Sequence, residues 1–275
     1  MIVLDQIDYA KKVVERFGQS NAKPCRTPLP AGYVPAEFKG MATSTQRSYY
    51  QSIIGSLLYL CLGTRFDITN AVILMSQFMV NPSEEHINKS LYIIKYINST
   101  INGKIMYNGE FSQGFLAYAD ADWAADKISR KSVTGYVILL AAGPVCCVSR
   151  KQKTIALSST EAEYMSLSDT ARQLSWILSL YNEIGIKLKY IPLGIDNQGA
   201  IFLAENAAQE HRSKHIDIRY HYVRECIQLG KVKLFHVPTH LQLADILTKN
   251  LSFDRFNDLR CRIGLEIPQR RGVLK

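Results

Sequence analysis

Phe115-Leu116-Ala117-Tyr118-Ala119-Asp120 is an apolar run that ends on a carboxylate. Its reading decides the fold because the device recurs. The run 191–195 ends on Asp196, and Asp245 lies just past the strand-like stretch 232–237. A fourth acid, Glu163, falls on a helix opened by Ser158-Ser159-Thr160, where the serines read as a cap. Carboxylates delivered from three strand ends and a helix can converge at one edge of a sheet. Grouped in that way they repel one another unless cations sit among them, which implies a divalent metal, most naturally Mg²⁺. Paired metals of that kind support phosphodiester hydrolysis.

Outward from these acids, the order after residues 108–113 is three strands, a long helix, a strand, two helices, a strand and a helix. Stretches 115–122, 135–140 and 145–150 are β-rich, and Ala142-Gly143-Pro144 reads as the turn joining the last two. Tyr164, Leu167, Ala171, Leu174 and Leu178 mark one face of a helix running to about Ile184, with Gly185 as its stop. A meander followed by αβ units predicts an α/β fold, a mixed five-stranded sheet with helices on both faces.

The chain before this region reads as smaller and mainly helical. Ile68, Val72, Met75 and Met79 recur at helical spacing, and so do Ile87, Leu91 and Ile94 after the helix start Asn81-Pro82-Ser83. Asn102-Gly103 and Asn108-Gly109 flank a short strand at 104–107. The expected division is therefore 1–110 and 111–275.

With 33 Lys and Arg against 24 Asp and Glu, the 275-residue chain carries a formal charge of +9 and favours a polyanionic partner, nucleic acid ahead of acidic lipid. Cys25, Cys61, Cys146, Cys147, Cys226 and Cys261 form no C-x-x-C pair, which fits a reducing, intracellular compartment. Asp5 and Asp8 interrupt the N-terminus before any apolar signal core. The apolar stretches 53–63 and 136–148 fall short of the roughly 20 residues that span a bilayer, so a soluble chain without a membrane partner is expected.

Five blocks carry a family resemblance: Tyr118-Ala119-Asp120-Ala121-Asp122-Trp123-Ala124, Ala156-Leu157-Ser158-Ser159-Thr160-Glu161-Ala162-Glu163-Tyr164, Asp196-Asn197-Gln198-Gly199-Ala200, the stretch from Lys214-His215-Ile216-Asp217 to Glu225, and Gln242-Leu243-Ala244-Asp245-Ile246-Leu247-Thr248-Lys249. In this order they resemble the ribonuclease H domain of a copia-type LTR-retrotransposon Pol polyprotein. Tyr50-Gln51-Ser52-Ile53-Ile54-Gly55 and Thr64-Arg65-Phe66-Asp67-Ile68 resemble the thumb and connection of the reverse transcriptase that precedes it. Phe66, Cys147 and 207–209 depart from the family pattern. The sequence holds no Asp-Asp pair, so no polymerase active site is expected in it.

The resemblance implies a ribonuclease H-like fold that cuts the RNA strand of an RNA–DNA hybrid during reverse transcription. Asp120, Glu163, Asp196 and Asp245 would be the catalytic carboxylates, holding two Mg²⁺ ions, with Mn²⁺ as substitute and no small-molecule cofactor. His240 would assist product release, and His236 reads as structural. Glu161 projects roughly 200° away from Glu163 on a helix, so only one of them can face the site, and the motif favours Glu163. Asp122 is expected in the loop after the strand. Arg212, Lys214, Arg219 and Arg224 would form a basic face on the substrate backbone, with Asn197 and Gln198 near the 2′-hydroxyls. A zinc reading of His211, His215, His221 and Cys226 competes with that face, but no C-x-x-C completes it. The further implied partner is the upstream reverse transcriptase palm and fingers, and the implied location is a cytoplasmic particle or the nucleus. A silent remnant that only binds nucleic acid is the alternative.

Overall fold

The structure is a computed structural model that describes residues 1–109, 114–206 and 214–268, without the side chains of 214–218 and 220. The chain divides into two units, residues 1–109 with 249–275 and residues 110–248.

In the first unit, β1 (Ile2–Asp5) leads into α1 (Ile7–Arg16), which buries Ala10, Val13 and Val14. Thr43 and Gln46 form a capping box that starts α2 (Ser44–Gly63), satisfying two backbone donors reciprocally. A 3₁₀ turn at Phe66–Ile68 precedes α3 (Thr69–Ser76). The periodicity expected to reach Met79 ends with this helix. Ser83 caps α4 (Glu84–Ser99), the start predicted from Asn81-Pro82-Ser83. Of the expected stripe of Ile87, Leu91 and Ile94, only Ile94 is buried. The buried stripe runs through His86, Ser90, Ile93, Ile94 and Ile97, and its two polar members hid it from a hydrophobicity pattern. β2 (Lys104–Tyr107) then pairs antiparallel with β1, Ile2 opposite Tyr107.

The second unit opens with β3 (Phe115–Asp122), β4 (Val133–Leu140) and β5 (Gly143–Lys151), all antiparallel neighbours. Leu140 pairs with Gly143, so the turn is the two residues Ala141 and Ala142, both at positive φ (52° and 64°), rather than 142–144. A two-residue hairpin requires that backbone to match strand twist. Pro144 thereby enters β5, which is an edge strand where a missing N–H is tolerated. The long α5 (Ser159–Glu183) crosses to β6 (Ile191–Ile195), which lies parallel beside β3. After α6 (Gln198–Glu205) and α7 (Lys214–Gln228), β7 (Val232–His236) adds parallel to β6. The sheet order is β5-β4-β3-β6-β7, a ribonuclease H-like mixed sheet of five strands.

One core joins Phe115, Ala117 and Ala119 of β3 to Leu167, Ala171 and Leu174 of α5, Ala204 of α6, and Val223 and Cys226 of α7. Alternation along a strand places those three β3 residues on one face, so α5, α6 and α7 cover the same side. Among the described residues of this unit, the opposite side of β3 and β4 receives a 3₁₀ turn, Leu243–Leu247, rather than a long helix. That differs from the expectation of helices on both faces.

The last elements among the described residues are α8 (Phe253–Ile263) and β8 (Leu265–Glu266). This segment corrects the expected division, because β8 pairs with β2 and Phe256 meets Tyr96 edge-to-face at 5.8 Å. The residues after Thr248 therefore belong to the first unit. Among the described residues no helix is long and apolar enough to cross a membrane.

Candidate active site

Asp120 stands on the central strand and is only 1% exposed. Three side chains fix its surroundings. Ser166 Oγ donates to the Asp120 carbonyl at 2.8 Å, and Gln242 Nε2 donates to the Ala119 carbonyl at 2.9 Å. Thr248 Oγ1 donates to Asp120 Oδ2. None of these three had a role assigned from sequence. Gln242 and Thr248 flank Asp245 in its block, and that flanking was the available signal.

Glu163 is buried on the first turns of α5. Ser158 caps this helix by accepting from Glu161 N at 3.1 Å, and Glu161 Oε2 accepts from Leu157 N at 2.8 Å. Glu161 is thus occupied with the helix start, and Glu163 is the one turned to the other acids. Asp196 follows β6, parallel to β3, and its carbonyl lies 3.2 Å from His236 Nε2.

The ligand-capable oxygens of Asp120, Glu163 and Asp196 all lie within 4.8 Å of one another. Two of the three residues are buried, so mutual repulsion is poorly screened there. The donors are all hard carboxylate oxygens, with no thiol or imidazole, which suits Mg²⁺ or Mn²⁺ rather than a softer ion. The cluster could therefore hold a divalent cation. Asp245 is buried in the Leu243–Leu247 turn and is not a member of that trio. Its carbonyl accepts from Thr248 N at 3.1 Å. Asp122 corrects an expectation: β3 runs on through it, so it shares a face with Asp120, yet it too stands outside the trio.

Two similar proteins decide the family. Over 263 residues the chain is 40% identical to the retrovirus-related Pol polyprotein from transposon RE1 of Arabidopsis thaliana, covering 95% of this chain and 18% of that protein. It is 36% identical to that from transposon TNT 1-94 of Nicotiana tabacum, covering 95% of this chain and 20% of the other. The chain belongs to the copia-type transposon Pol family. It spans about a fifth of the length of these relatives. No protein-family model matches it. A solved RNase H1 from Halobacterium salinarum is similar over 49% of this chain and 93% of its own, at 19% identity and a TM-score of 0.34. The fold assignment rests on the strand order and directions.

The residues expected from the copia Pol resemblance to meet nucleic acid have the following surroundings. Arg224 Nη2 donates to the carbonyls of Leu203 (3.2 Å) and Asn206 (2.8 Å), closing the end of α6. Arg219 Nη1 turns to Met165 O and to Asp169, 3.4 and 3.5 Å away. Both are partly exposed and have acceptors within their own unit. Arg212 lies outside the described residues, as does the side chain of Lys214. Asn197 Oδ1 accepts from Ala200 N at 3.0 Å as the cap of α6, while Gln198 is exposed beside it. His240 is exposed in a 3₁₀ turn, Thr239–Leu241. Of the competing zinc set, His211 and the side chain of His215 lie outside the described residues, His221 is exposed and Cys226 is buried. Among the described residues no second cluster of three metal-ligating side chains exists. Burial pushes the Cys146 and Cys147 thiols upward, so both pack as neutral thiols.

Proposed function

We propose that residues 110–248 form a ribonuclease H that hydrolyses the RNA strand of an RNA–DNA hybrid during retrotransposon reverse transcription. The observation that carries this reading is the convergence of Asp120, Glu163 and Asp196 to within 4.8 Å from two adjacent parallel strands and one helix. Asp120, Glu163 and Asp196 would hold divalent cations, with Asp245 as a fourth carboxylate beside them. Bound there, such ions supply a more acidic water and stabilise charge on the departing 3′ oxygen.

The residues of the chain do the positioning. Asp120 is held through its main chain by Ser166 and through its carboxylate by Thr248, so its oxygens enter the site at a set angle. Glu163 is oriented by a helix whose start is closed by Ser158 and Glu161. Exposed Gln198, at the first turn of α6 next to Asp196, would meet the minor groove of a hybrid, where 2′-hydroxyls distinguish RNA. His240, exposed on the turn before Asp245, would assist product release. The first unit is read as a thumb and connection of the reverse transcriptase that contributes to holding the duplex.

The test is cleavage of an end-labelled RNA–DNA hybrid in Mg²⁺ by the wild-type chain and by Asp120→Asn. Cuts confined to the RNA strand and lost in the variant support the enzyme. A folded wild-type chain that binds hybrid without cutting it, in Mg²⁺ or Mn²⁺, would leave the alternative of a binding remnant.

A further inference from the structure

The Leu243–Leu247 turn that carries Asp245 is fastened to β3 at both of its ends. Before it, Gln242 is fully buried; its Nε2 donates to the Ala119 carbonyl at 2.9 Å and its Oε1 accepts from Ala244 N at 3.2 Å. After it, Thr248 is buried, its N–H donates to the Asp245 carbonyl at 3.1 Å, and its hydroxyl donates to Asp120 Oδ2 while lying 3.3 Å from that same carbonyl. One residue thus touches the Asp120 carboxylate with its side chain and the Asp245 main chain with its amide.

We propose that Thr248, assisted by Gln242, is a positioning residue that sets Asp245 relative to Asp120 and so determines divalent-metal affinity. This rests on the ribonuclease H reading above. Three physical points support it. The Thr248 hydroxyl has a single proton. Given to Oδ2, that proton fixes the rotation of the Asp120 carboxylate. A buried hydroxyl that donates to an ionised oxygen makes one of the stronger hydrogen bonds available to a side chain, so the arrangement is stiff. Fastening at both ends leaves a turn of five residues little freedom to carry Asp245 away. Outer partners of metal-binding carboxylates act in this way, and their loss typically costs about 10- to 100-fold in metal affinity or activity.

The experiment uses the full chain as wild type, Thr248→Val and Thr248→Ser. Mn²⁺ binding is measured by calorimetry, hybrid cleavage by kcat and KM, and folding by thermal unfolding. Valine keeps the shape and removes the donor; serine keeps the donor. The expected result is a Mn²⁺ affinity about 10- to 100-fold weaker in Thr248→Val, with kcat falling while KM for hybrid holds, and recovery of both in Thr248→Ser. A folded Thr248→Val with wild-type Mn²⁺ affinity and kcat overturns the proposal. If valine prevents folding, Thr248→Ala is compared with Thr248→Ser, and equal affinities in that pair overturn it as well. A wild type that binds Mn²⁺ without cutting hybrid overturns the ribonuclease reading alone, since the affinity comparison still judges Thr248. A wild type that binds no Mn²⁺ overturns both.

Discussion

Gly135 lies so close beneath Thr248 that a Cβ added to it would sit 2.5 Å from Thr248 Cγ2. It would also meet Leu247 Cβ at 3.0 Å and the Ala244 carbonyl at 3.2 Å. Gly135 is the antiparallel partner of Asp120, so the missing side chain is what lets the acid-bearing turn rest on the sheet. Gly135→Ala should therefore destabilise the second unit by about 1–3 kcal/mol through overpacking. Urea denaturation checks the stability, and Mn²⁺ titration should report weaker binding. Unchanged values for both would mean that the turn does not depend on this close approach.

Glu161 and Glu163 are two residues apart on α5 and should respond differently to amide replacement. Glu163→Gln removes a cluster carboxylate and should abolish hybrid cleavage. Glu161→Gln keeps an oxygen able to accept from Leu157 N and should cleave near the wild-type rate. Single-turnover assays on the two variants decide it, and an inactive Glu161→Gln would reverse their assignment.

Arg224 is expected to act on stability rather than on nucleic-acid binding. Replacing it with methionine leaves the Leu203 and Asn206 carbonyls without this donor and should cost about 1–3 kcal/mol. The dependence of hybrid affinity on salt should keep its slope, because no phosphate contact is lost. A slope reduced by about one would place Arg224 on the backbone after all.

Asp67 is held in the first unit with Arg65 at 2.9 Å and Tyr96 Oη at 2.6 Å, both acidic and basic partners being only 2% exposed. Asp67→Asn leaves a buried guanidinium uncompensated and should destabilise that unit by about 3–5 kcal/mol. Thermal unfolding of the variant is the measurement. A loss well under 1 kcal/mol would show that water reaches Arg65.

His86 should make the first unit sensitive to acid. Burial pushes its imidazole below the usual histidine value, offset in part by the Ala36 carbonyl and by Glu85. The Nδ1 accepts from Ser83 N at 3.1 Å, so Nε2 carries the proton and donates to Ala36 O at 2.9 Å. Folding favours the neutral ring. Its contribution is complete above the unfolded value of about 6.5 and is lost as pH falls through the lower folded value. His86→Gln keeps a capping-box residue without a titrating ring. Its unfolding midpoint should change less than that of the wild type between about pH 7.5 and pH 5.5.

Much of the second unit was legible locally. The face through Tyr164, Leu167, Ala171 and Leu174 is the buried face of α5, and Gly185 follows the helix at φ 83°. What escaped has common causes. The α4 stripe contains the buried polar residues His86 and Ser90, and the Ala36 carbonyl that His86 meets is 50 positions away. The β4–β5 turn uses two alanines at positive φ, which turn chemistry does not flag. The acceptors of Arg219 on α5 and of Arg224 around the end of α6 lie far off in the chain, so no local pattern showed them.

The sequence alone determined the elements and the placing of each acid on them, because apolar alternation, helical spacing and capping act between residues a few positions apart. The tertiary structure decided which acids meet, which of the two α5 glutamates takes part, and that the residues after Thr248 belong with the first unit. It also joined Thr248 to Asp120 across 128 positions. Such pairings depend on how packed elements bring distant chain segments together, and no local pattern records that.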